Sequence, residues 1–360
     1  MKIGVFFSDL HNKVGDNVDV LPLINPLGTT HEVYTFSKNN NKNLINNSLS
    51  YSGNIFTLIC KIFSLRKELD ILHVFCGLKW SVPLVIFVAN ICKIKVVYSP
   101  LGQLLPNFTQ NKNIFKIVIV KIVFKIVLRS NIQIHCCSDF ESKTINKWIS
   151  NKNRFFIVPL APNIGQQTEL NNNNGKYILY FGRFDVWQKG LDIVISSVKI
   201  IENHLIDSGL KVVLAGRGSD LQLQKVRKLI KSNGLSELIS LRVNVSNAER
   251  VSLYKNAKFF YHPSRIEGFA RSMRDAIAFQ IPIISTFDSN TGNLFSSFNI
   301  GWICDFDVTE LSKKLITATQ INSQEYEEFR VGLKKLFELN NSLNYRDQLY
   351  KNYHEIINRS

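Results

Sequence analysis

Short apolar runs rich in β-branched residues recur along this 360-residue chain and alternate with longer segments of helical period. The runs are nearly continuous rather than alternating with polar residues, the pattern of strands buried on both faces of a parallel sheet. In the first half they fall at 2–7, 31–36, 70–75, 94–99, 132–137 and 155–158. In the second half they fall at 177–182, 211–215, 238–243, 258–262 and 282–286. Most of the gaps between them are long enough for a crossover helix, so each half is expected to wind into its own open α/β sheet.

A chain of this length exceeds what one hydrophobic core usually organises, and roughly 150 residues per domain gives two. Residues 164–175, Ile-Gly-Gln-Gln-Thr-Glu-Leu-Asn-Asn-Asn-Asn-Gly, are polar and without period, and read as the linker. The reading is therefore two Rossmann-like domains, 1–165 and 176–340. A last helix within 341–360 carries Tyr345, Leu349, Tyr353 and Ile356 on one side and is expected to pack back on the first domain. The Asn-rich patch at 39–48 reads as a surface loop.

With 45% hydrophobic residues the chain can bury sizeable cores, and 44 Lys plus Arg against 28 Asp plus Glu leave a net charge of +16. Such an excess suits nucleic acid, an anionic membrane surface or a phosphate-bearing small molecule. No helix-turn-helix, zinc spacing or aromatic RNA-binding stripe accompanies it, so nucleic acid is not an expected partner. The six cysteines, Cys60, Cys76, Cys92, Cys136, Cys137 and Cys304, lack metal-ligand spacing and read as buried, reduced thiols of a cytoplasmic protein. Met1 to Phe7 reads as a buried first strand rather than a signal peptide. No stretch reaches the roughly 18 apolar residues of a spanning helix. Within 112–129, Lys121, Lys125 and Arg129 form one stripe opposite a broad apolar face, a pattern shared by a surface-lying amphipathic helix and a core helix with a solvated side.

Open α/β sheets bind ligands beyond the carboxyl ends of their strands, so the strand-to-helix turns carry the chemistry. After the strand at 177–182 come Gly182, Arg183, then Lys189 and Gly190. Two cations six residues apart around a helix start can surround a diphosphate, although no Walker loop is present. Ala215-Gly216-Arg217-Gly218 lacks the third glycine of a dinucleotide fingerprint and reads as a tight turn with close backbone approach. After 258–262 come Glu267 and, eight residues on, Asp275. With a helix starting near Phe269, the Glu lies in the loop and the Asp on the second turn. Both can then face one ligand across the helix N-terminus, and a carboxylate suits vicinal hydroxyls.

The order of these turns resembles that of the retaining GT-B glycosyltransferases of family 4, the glycosyl transferases group 1. The resemblance runs through Gly182-Arg183, Lys189-Gly190-Leu191-Asp192, Val212-Val213-Leu214-Ala215-Gly216-x-Gly218, Glu267-Gly268-Phe269 to Asp275-Ala276, and Ile281-Pro282-Ile283-Ile284-Ser285-Thr286. It covers about 176–320. It implies a GT-B fold, two Rossmann-like domains facing across a cleft. It also implies that Arg183 and Lys189 hold the donor diphosphate, Asp275 the ribose, and Glu267 with the backbone of Gly268, Phe269 and Ala270 the donor sugar. Val245 falls where the family contacts the base. Two departures stand out: the family's second Glu is Asp275, and Ala270 followed by Arg271 replaces its usual glycine.

In the first half, Asp70 to Trp80, with His73, and Ser99-Pro100-Leu101-Gly102-Gln103-Leu104-Leu105-Pro106 are similar to two stretches of a polysaccharide-synthesising subgroup. This resemblance makes His73 a catalytic candidate and Ser99 and Gly102 acceptor-side candidates, while the histidine many relatives carry near Leu101 is absent. Gly15 matches the turn where a backbone N–H approaches the diphosphate. The implied activity is a retaining hexosyl transfer from a nucleotide-diphosphate sugar to a glycan or lipid-linked glycan, in surface polysaccharide (O-antigen- or capsule-like) biosynthesis. No cofactor or divalent metal is expected, since Asp305-Phe306-Asp307 lies after the last of these strands and Asp307 reads as the cap of a helix starting near Val308. The expected location is cytoplasmic, peripheral on the inner face of the cytoplasmic membrane through 112–129. A degenerate scaffold or binding protein on the same fold, and a sugar-nucleotide epimerase, remain alternatives.

Overall fold

The computed structural model describes residues 1–7, 20–24, 30–38, 48–75, 81–102, 132–146, 154–160, 175–265, 267, 270–289, 292–339 and 342–359. The chain divides into two compact units, one made of Met1–Ala161 with Asn340–Ser360, the other of Pro162–Leu339. Each unit holds one parallel sheet with helices packed on it, as the sequence pattern predicts.

In the first unit the strands are β1 (Lys2–Phe7), β2 (Glu32–Ser37), β3 (Ser48–Ser52), β4 (Ile71–Phe75), β5 (Lys95–Ser99), β6 (Ile132–Cys136) and β7 (Phe155–Ile157). They pair in parallel in the order β3-β2-β1-β4-β5-β6-β7. In the second unit they are β8 (Tyr177–Arg183), β9 (Lys211–Arg217), β10 (Ile239–Val243), β11 (Ala257–His262), β12 (Ile283–Thr286) and β13 (Gly301–Cys304). Their order, again all parallel, is β10-β9-β8-β11-β12-β13.

Both faces of each sheet are covered, which is why the strand sequences are continuously apolar. On β8, Ile178 and Tyr180 enter one core of the second unit while Leu179 enters the other, and on β11 Phe259 and Tyr261 oppose Phe260 in the same way. In the first unit, Leu72 and Val74 of β4 pack against the helices Ile55–Ser64 and Ser81–Ile91, and Ile71 and Phe75 face the opposite way. The helix Ser342–Asn358 lies on that opposite face, where Tyr345, Leu349, Tyr353 and Ile356 join Ile3, Val5 and Val33. Fully burying such a side chain stabilises by roughly 1.5–3 kcal/mol, enough for four of them to hold a helix with polar residues on its other side.

Sequence reading missed two strands and misjudged three cysteines, of which Cys92 and Cys137 are only partly buried. Ser48-Leu49-Ser50-Tyr51-Ser52 is half polar because β3 is an edge strand, partly or wholly exposed along its length. Gly301–Cys304 is four residues long and opens on a glycine, so β13 carries too little apolar signal. Cys60, expected to be buried, is exposed on the outer side of the Ile55–Ser64 helix. Cys136 and Cys304 are buried, and Cys76 lies outside the described residues. No helix among the described residues is long and apolar enough to cross a membrane. The stripe at 112–129 and Gly15 also lie outside them.

Candidate functional site

In each sheet the strand order reverses once, and in the second unit it does so between β8 and β11, which pair directly. Their carboxyl ends carry Arg183 and His262, so the two turns singled out in the sequence, 182–190 and 263–275, start side by side at a topological switch point. Asp185 organises the first: its Oδ1 accepts from the Gln188 N–H at 2.9 Å and its carbonyl from the Lys189 N–H at 3.1 Å. The turn ends at Gly190, whose φ of +66° is left-handed, and a Cβ there would lie 2.0 Å from the Pro263 carbonyl oxygen. Glycine alone lets the two turns meet at that point.

A second contact fixes their relation. Arg265 donates from Nη1 and Nη2 to the two carboxylate oxygens of Asp192 at 2.8 and 2.6 Å, and from Nη1 to the Trp187 carbonyl at 2.6 Å. Its guanidinium lies 4.4 Å above the Phe306 ring. A forked pair of this kind fixes orientation as well as distance. Asp307, next to Phe306, caps the helix Val308–Gln320 by accepting from Thr309 and Glu310 N–H at 2.8 and 2.9 Å.

The clamped turns bring Lys189 and Glu267 into a buried ion pair, Nζ donating to Oε1, with side chains only 11% and 10% exposed. Ser264 Oγ donates to the same oxygen at 3.1 Å, and His262 Nε2 stands 3.7 Å from it. Burial disfavours the charge of Glu267, but Lys189, His262 and Ser264 outweigh it and hold the carboxyl below its ordinary range. Burial pushes the His262 imidazole down to about 4, so it is neutral at pH 7. Arg183, at the exposed end of β8, donates from Nη2 to Gln188 Oε1 at 3.0 Å. The site thus offers one exposed and one buried cation within a single turn, and a carboxylate held ionised beside the second.

Asp275 lies on the second turn of the helix Arg271–Ala278, which starts at Ala270 without a side-chain cap. It is 1% exposed and its Oδ2 is 3.5 Å from Arg250 Nη1, on the helix Asn247–Lys255. Glu267 and Asp275 therefore hold different cations. Val245, partly buried, precedes that helix, in a turn pinned where the Asn244 N–H donates to the Gly216 carbonyl at 2.8 Å. Gly216 pairs with Gly182 of β8, and a Cβ there would lie 1.7 Å from the Gly182 oxygen. Gly268 and Phe269 lie outside the described residues.

The first unit gives His73 and Ser99 a place in its core. His73 on β4 and Ser99 at the end of β5 are fully buried with His135 of β6. His135 Nε2 can only donate to the Val158 carbonyl, at 2.7 Å, so its Nδ1 accepts from Ser99 Oγ at 2.6 Å. Ser99 Oγ then accepts from His73 Nε2 at 2.6 Å, and His73 Nδ1 accepts from the Tyr353 hydroxyl. Every proton in this chain is assigned, and neither His73 nitrogen is left to face a substrate. Gly102 follows Leu101, both left-handed at φ 77° and 53°, and its N–H donates to Glu141 Oε1 at 2.5 Å. Glu141 Oε2 accepts from the Cys137 N–H at 2.8 Å, which ties the turn after β5 to the turn after β6.

Arg265, Arg250, His262 and Ser264 had no assigned role from sequence, and Tyr353 had only that of packing the last helix on the first domain. Only His262 carried a signal, as the polar residue that ends a largely apolar strand.

Residues 164–332 match the model of the family described as glycosyl transferases group 1. The GDP-mannose:cellobiosyl-diphosphopolyprenol alpha-mannosyltransferase of Xanthomonas campestris is 35% identical over 113 residues, 31% of this chain and 29% of that protein. Mannosylfructose-phosphate synthase of Agrobacterium fabrum is 26% identical over 131 residues, 35% of this chain and 28% of that protein. The matched stretch thus spans less than a third of either relative. Among solved structures, Anabaena Alr3699/HepE in complex with UDP and glucose aligns over 99% of this chain and 100% of that one, with a TM-score of 0.78 at 12% identity. WaaG, a glycosyltransferase involved in lipopolysaccharide biosynthesis, aligns over the same shares with a TM-score of 0.75 at 13% identity.

Proposed function

We propose that the chain, whose residues 164–332 match the glycosyl transferases group 1, is a retaining hexosyltransferase of that family, acting with a GT-B fold on a nucleotide-diphosphate sugar. The acceptor in this reading is a hydroxyl of a glycan or lipid-linked glycan in surface polysaccharide synthesis. The observation that carries it is the buried Lys189–Glu267 pair beside Arg183 at the switch point of the second sheet. Departure of a nucleotide diphosphate develops negative charge on the β-phosphate, and two fixed cations stabilise it without a metal. Glu267 accepts hydroxyl protons of the sugar, and Asp275, set on its helix by Arg250, binds the ribose. The base lies against Val245, and the backbone of Gly268, Phe269 and Ala270 follows the sugar.

Donor chemistry is supported by the names of the relatives, which include GDP-mannose as a donor and UDP with glucose as a bound pair. Mannosyl donors are the first to test. The leaving phosphate oxygen deprotonates the acceptor hydroxyl, so no side-chain base is required; the buried His73 and Ser99 support the acceptor turn from within the core, and Gly102 belongs to that turn. The basic stripe Lys121, Lys125 and Arg129 docks the protein peripherally on anionic lipid, near a membrane-bound acceptor.

The test is transfer from labelled GDP-mannose and UDP-glucose to a membrane extract holding lipid-linked oligosaccharides, with the product anomer read by NMR. Label in the glycolipid fraction with the anomeric configuration of the donor supports the reading; inversion, or donor turnover that yields only an epimerised sugar nucleotide, overturns it.

A further inference from the structure

We propose that the outer face of the helices Ile55–Ser64 and Ser81–Ile91 is a lipid-contacting surface that seats the first unit on an anionic bilayer, with its aromatic rings at the acyl chains and its basic rim at the headgroups. The inference goes beyond the docking proposed for Lys121, Lys125 and Arg129, and it needs neither that stripe nor a nucleotide-sugar donor.

Both helices pack on one face of the first sheet, and on each other, through Leu58, Ile62, Val82, Val85, Ile86 and Ala89. A helix so placed is expected to turn polar residues outward. These two do not. On the first, Phe56, Cys60 and Phe63 recur at i, i+4 and i+7 on the side away from Leu58 and Ile62, and the two rings are 68% and 48% exposed. On the second, Phe87 and Ile91 stand one turn apart, 62% and 60% exposed, and no residue along the helix is charged. Because the helices cover the same side of the sheet, their outward faces look the same way. Exposed hydrophobic residues scattered singly are ordinary, whereas four large ones gathered on neighbouring helices mark a contact surface.

The charges around this face favour one occupant. From Ser48 to Lys67 and from Ile71 to Lys95 the chain holds no Asp or Glu. Arg66, Lys67 and Lys93 follow the carboxyl ends of the two helices, and all three are exposed. Arg66 donates to the Phe63 carbonyl at 3.0 Å with its guanidinium 4.4 Å from the centre of the Phe63 ring, which sets a cation at the edge of the apolar face. The same charge acts on the Cys92 thiol just past the second helix, so the two helix ends lie side by side. The acids that follow Lys67 are engaged elsewhere: Glu68 Oε2 accepts from the Tyr34 hydroxyl at 3.2 Å and Asp70 Oδ2 from the Lys2 N–H at 2.8 Å. An apolar face with a cationic rim matches an anionic bilayer, whose interior accepts the rings and whose headgroups accept the cations. A second copy of the chain suits it less, since two-fold pairing would lay one rim of cations against an identical rim.

Sedimentation of the full chain with vesicles of phosphatidylcholine, alone and mixed with phosphatidylglycerol, tests the inference. Wild type should partition onto the mixed vesicles at least about tenfold more strongly, since each basic residue at an anionic surface contributes roughly fivefold. Phe56→Gln combined with Phe87→Gln should weaken that binding by about tenfold or more, with the urea midpoint unchanged because both rings are exposed. Arg66→Gln, Lys67→Gln and Lys93→Gln together should weaken it by at least about tenfold on the mixed vesicles and little on neutral ones. Wild-type Cys60, between Phe56 and Phe63, gives a readout free of any variant: its alkylation by a charged maleimide, followed by peptide mass, should slow several-fold when mixed vesicles are added. Equal pelleting with both vesicles, unchanged binding in the double phenylalanine variant, or a Cys60 rate indifferent to vesicles overturns the inference. So does loss of binding in Lys121→Gln with Lys125→Gln and Arg129→Gln while the double phenylalanine variant binds as wild type does, a result that keeps the earlier docking reading. Slowing of Cys60 with protein concentration in the absence of lipid, accompanied by a dimer in sedimentation velocity, identifies a second copy as the occupant and overturns it as well. Transfer activity enters none of these measurements, so failure of the nucleotide-sugar reading leaves their outcome standing.

Discussion

Replacing Lys189 by Met removes the buried cation of the site and keeps most of its volume. Glu267, 10% exposed, loses its buried cation, while Ser264 stays on the carboxylate and His262 beside it is neutral. Breaking a buried pair by removing one partner costs about 3–5 kcal/mol, since the remaining charge keeps its desolvation penalty and loses its compensation. In a unit of this size each kcal/mol moves the melting midpoint by about 2–4 °C, so the second unit should melt roughly 6–20 °C lower. The cost should shrink as pH falls from 7 to 5, because the carboxyl group, no longer held down by Lys189, becomes protonated in the folded state. Lys189→Met with Glu267→Gln should be less destabilised than Lys189→Met alone, by about 1–3 kcal/mol. Urea unfolding followed by amide exchange in β8 and β11 measures this in the relevant unit. A single-variant cost below about 1 kcal/mol, or strictly additive costs in the double variant, would refute the account of the pair.

Three further outcomes follow from the geometry. Gly190→Ala places a Cβ on the Pro263 carbonyl at a left-handed φ and should cost at least about 2 kcal/mol, with weaker donor binding as the turns separate; unfolding at wild-type urea concentration would contradict it. Tyr353→Phe strips the hydroxyl donor from buried His73 Nδ1 and should destabilise the first unit by about 1–3 kcal/mol, visible as faster amide exchange in β4 and β5 but not in β8. Burial lowers His73 and takes His135 and His262 to about 4, so each binds its proton more readily in the unfolded chain than in the folded one. Stability should therefore be complete above pH 6.5 and fall as pH drops toward 4, by on the order of 3 kcal/mol for each of His135 and His262, with His73 acting in the same direction. A urea midpoint independent of pH over that range would show that the rings are not buried neutral.

The fold was legible because strands covered on both faces must be apolar throughout: Lys2 to Phe7 and Tyr177 to Gly182 announce themselves in this way. β3 and β13 sit at sheet edges, where one strand neighbour is missing and the sequence is released from that demand. In the site, the order of Arg183, Lys189, Glu267 and Asp275 could be read from their turns. Their partners could not, because Lys189 meets Glu267 across 78 residues and Arg265 meets Asp192 across 73. Such pairs follow from strand order, which local pattern does not encode. His73 illustrates the converse: its neighbours in sequence suggested chemistry, whereas Ser99, His135 and Tyr353, from three other elements, bury and saturate it.

The central claim is that the carboxyl end of β8 and β11 receives a nucleotide-diphosphate sugar. Its most direct test is the transfer rate of Arg183→Ala against wild type at saturating acceptor, alongside donor affinity by calorimetry. Loss of this exposed cation should leave the fold intact and remove about 2–4 kcal/mol of transition-state stabilisation, a fall in kcat/KM of roughly thirtyfold to a thousandfold. Transfer within a factor of a few of wild type, with donor affinity unchanged, would contradict the account.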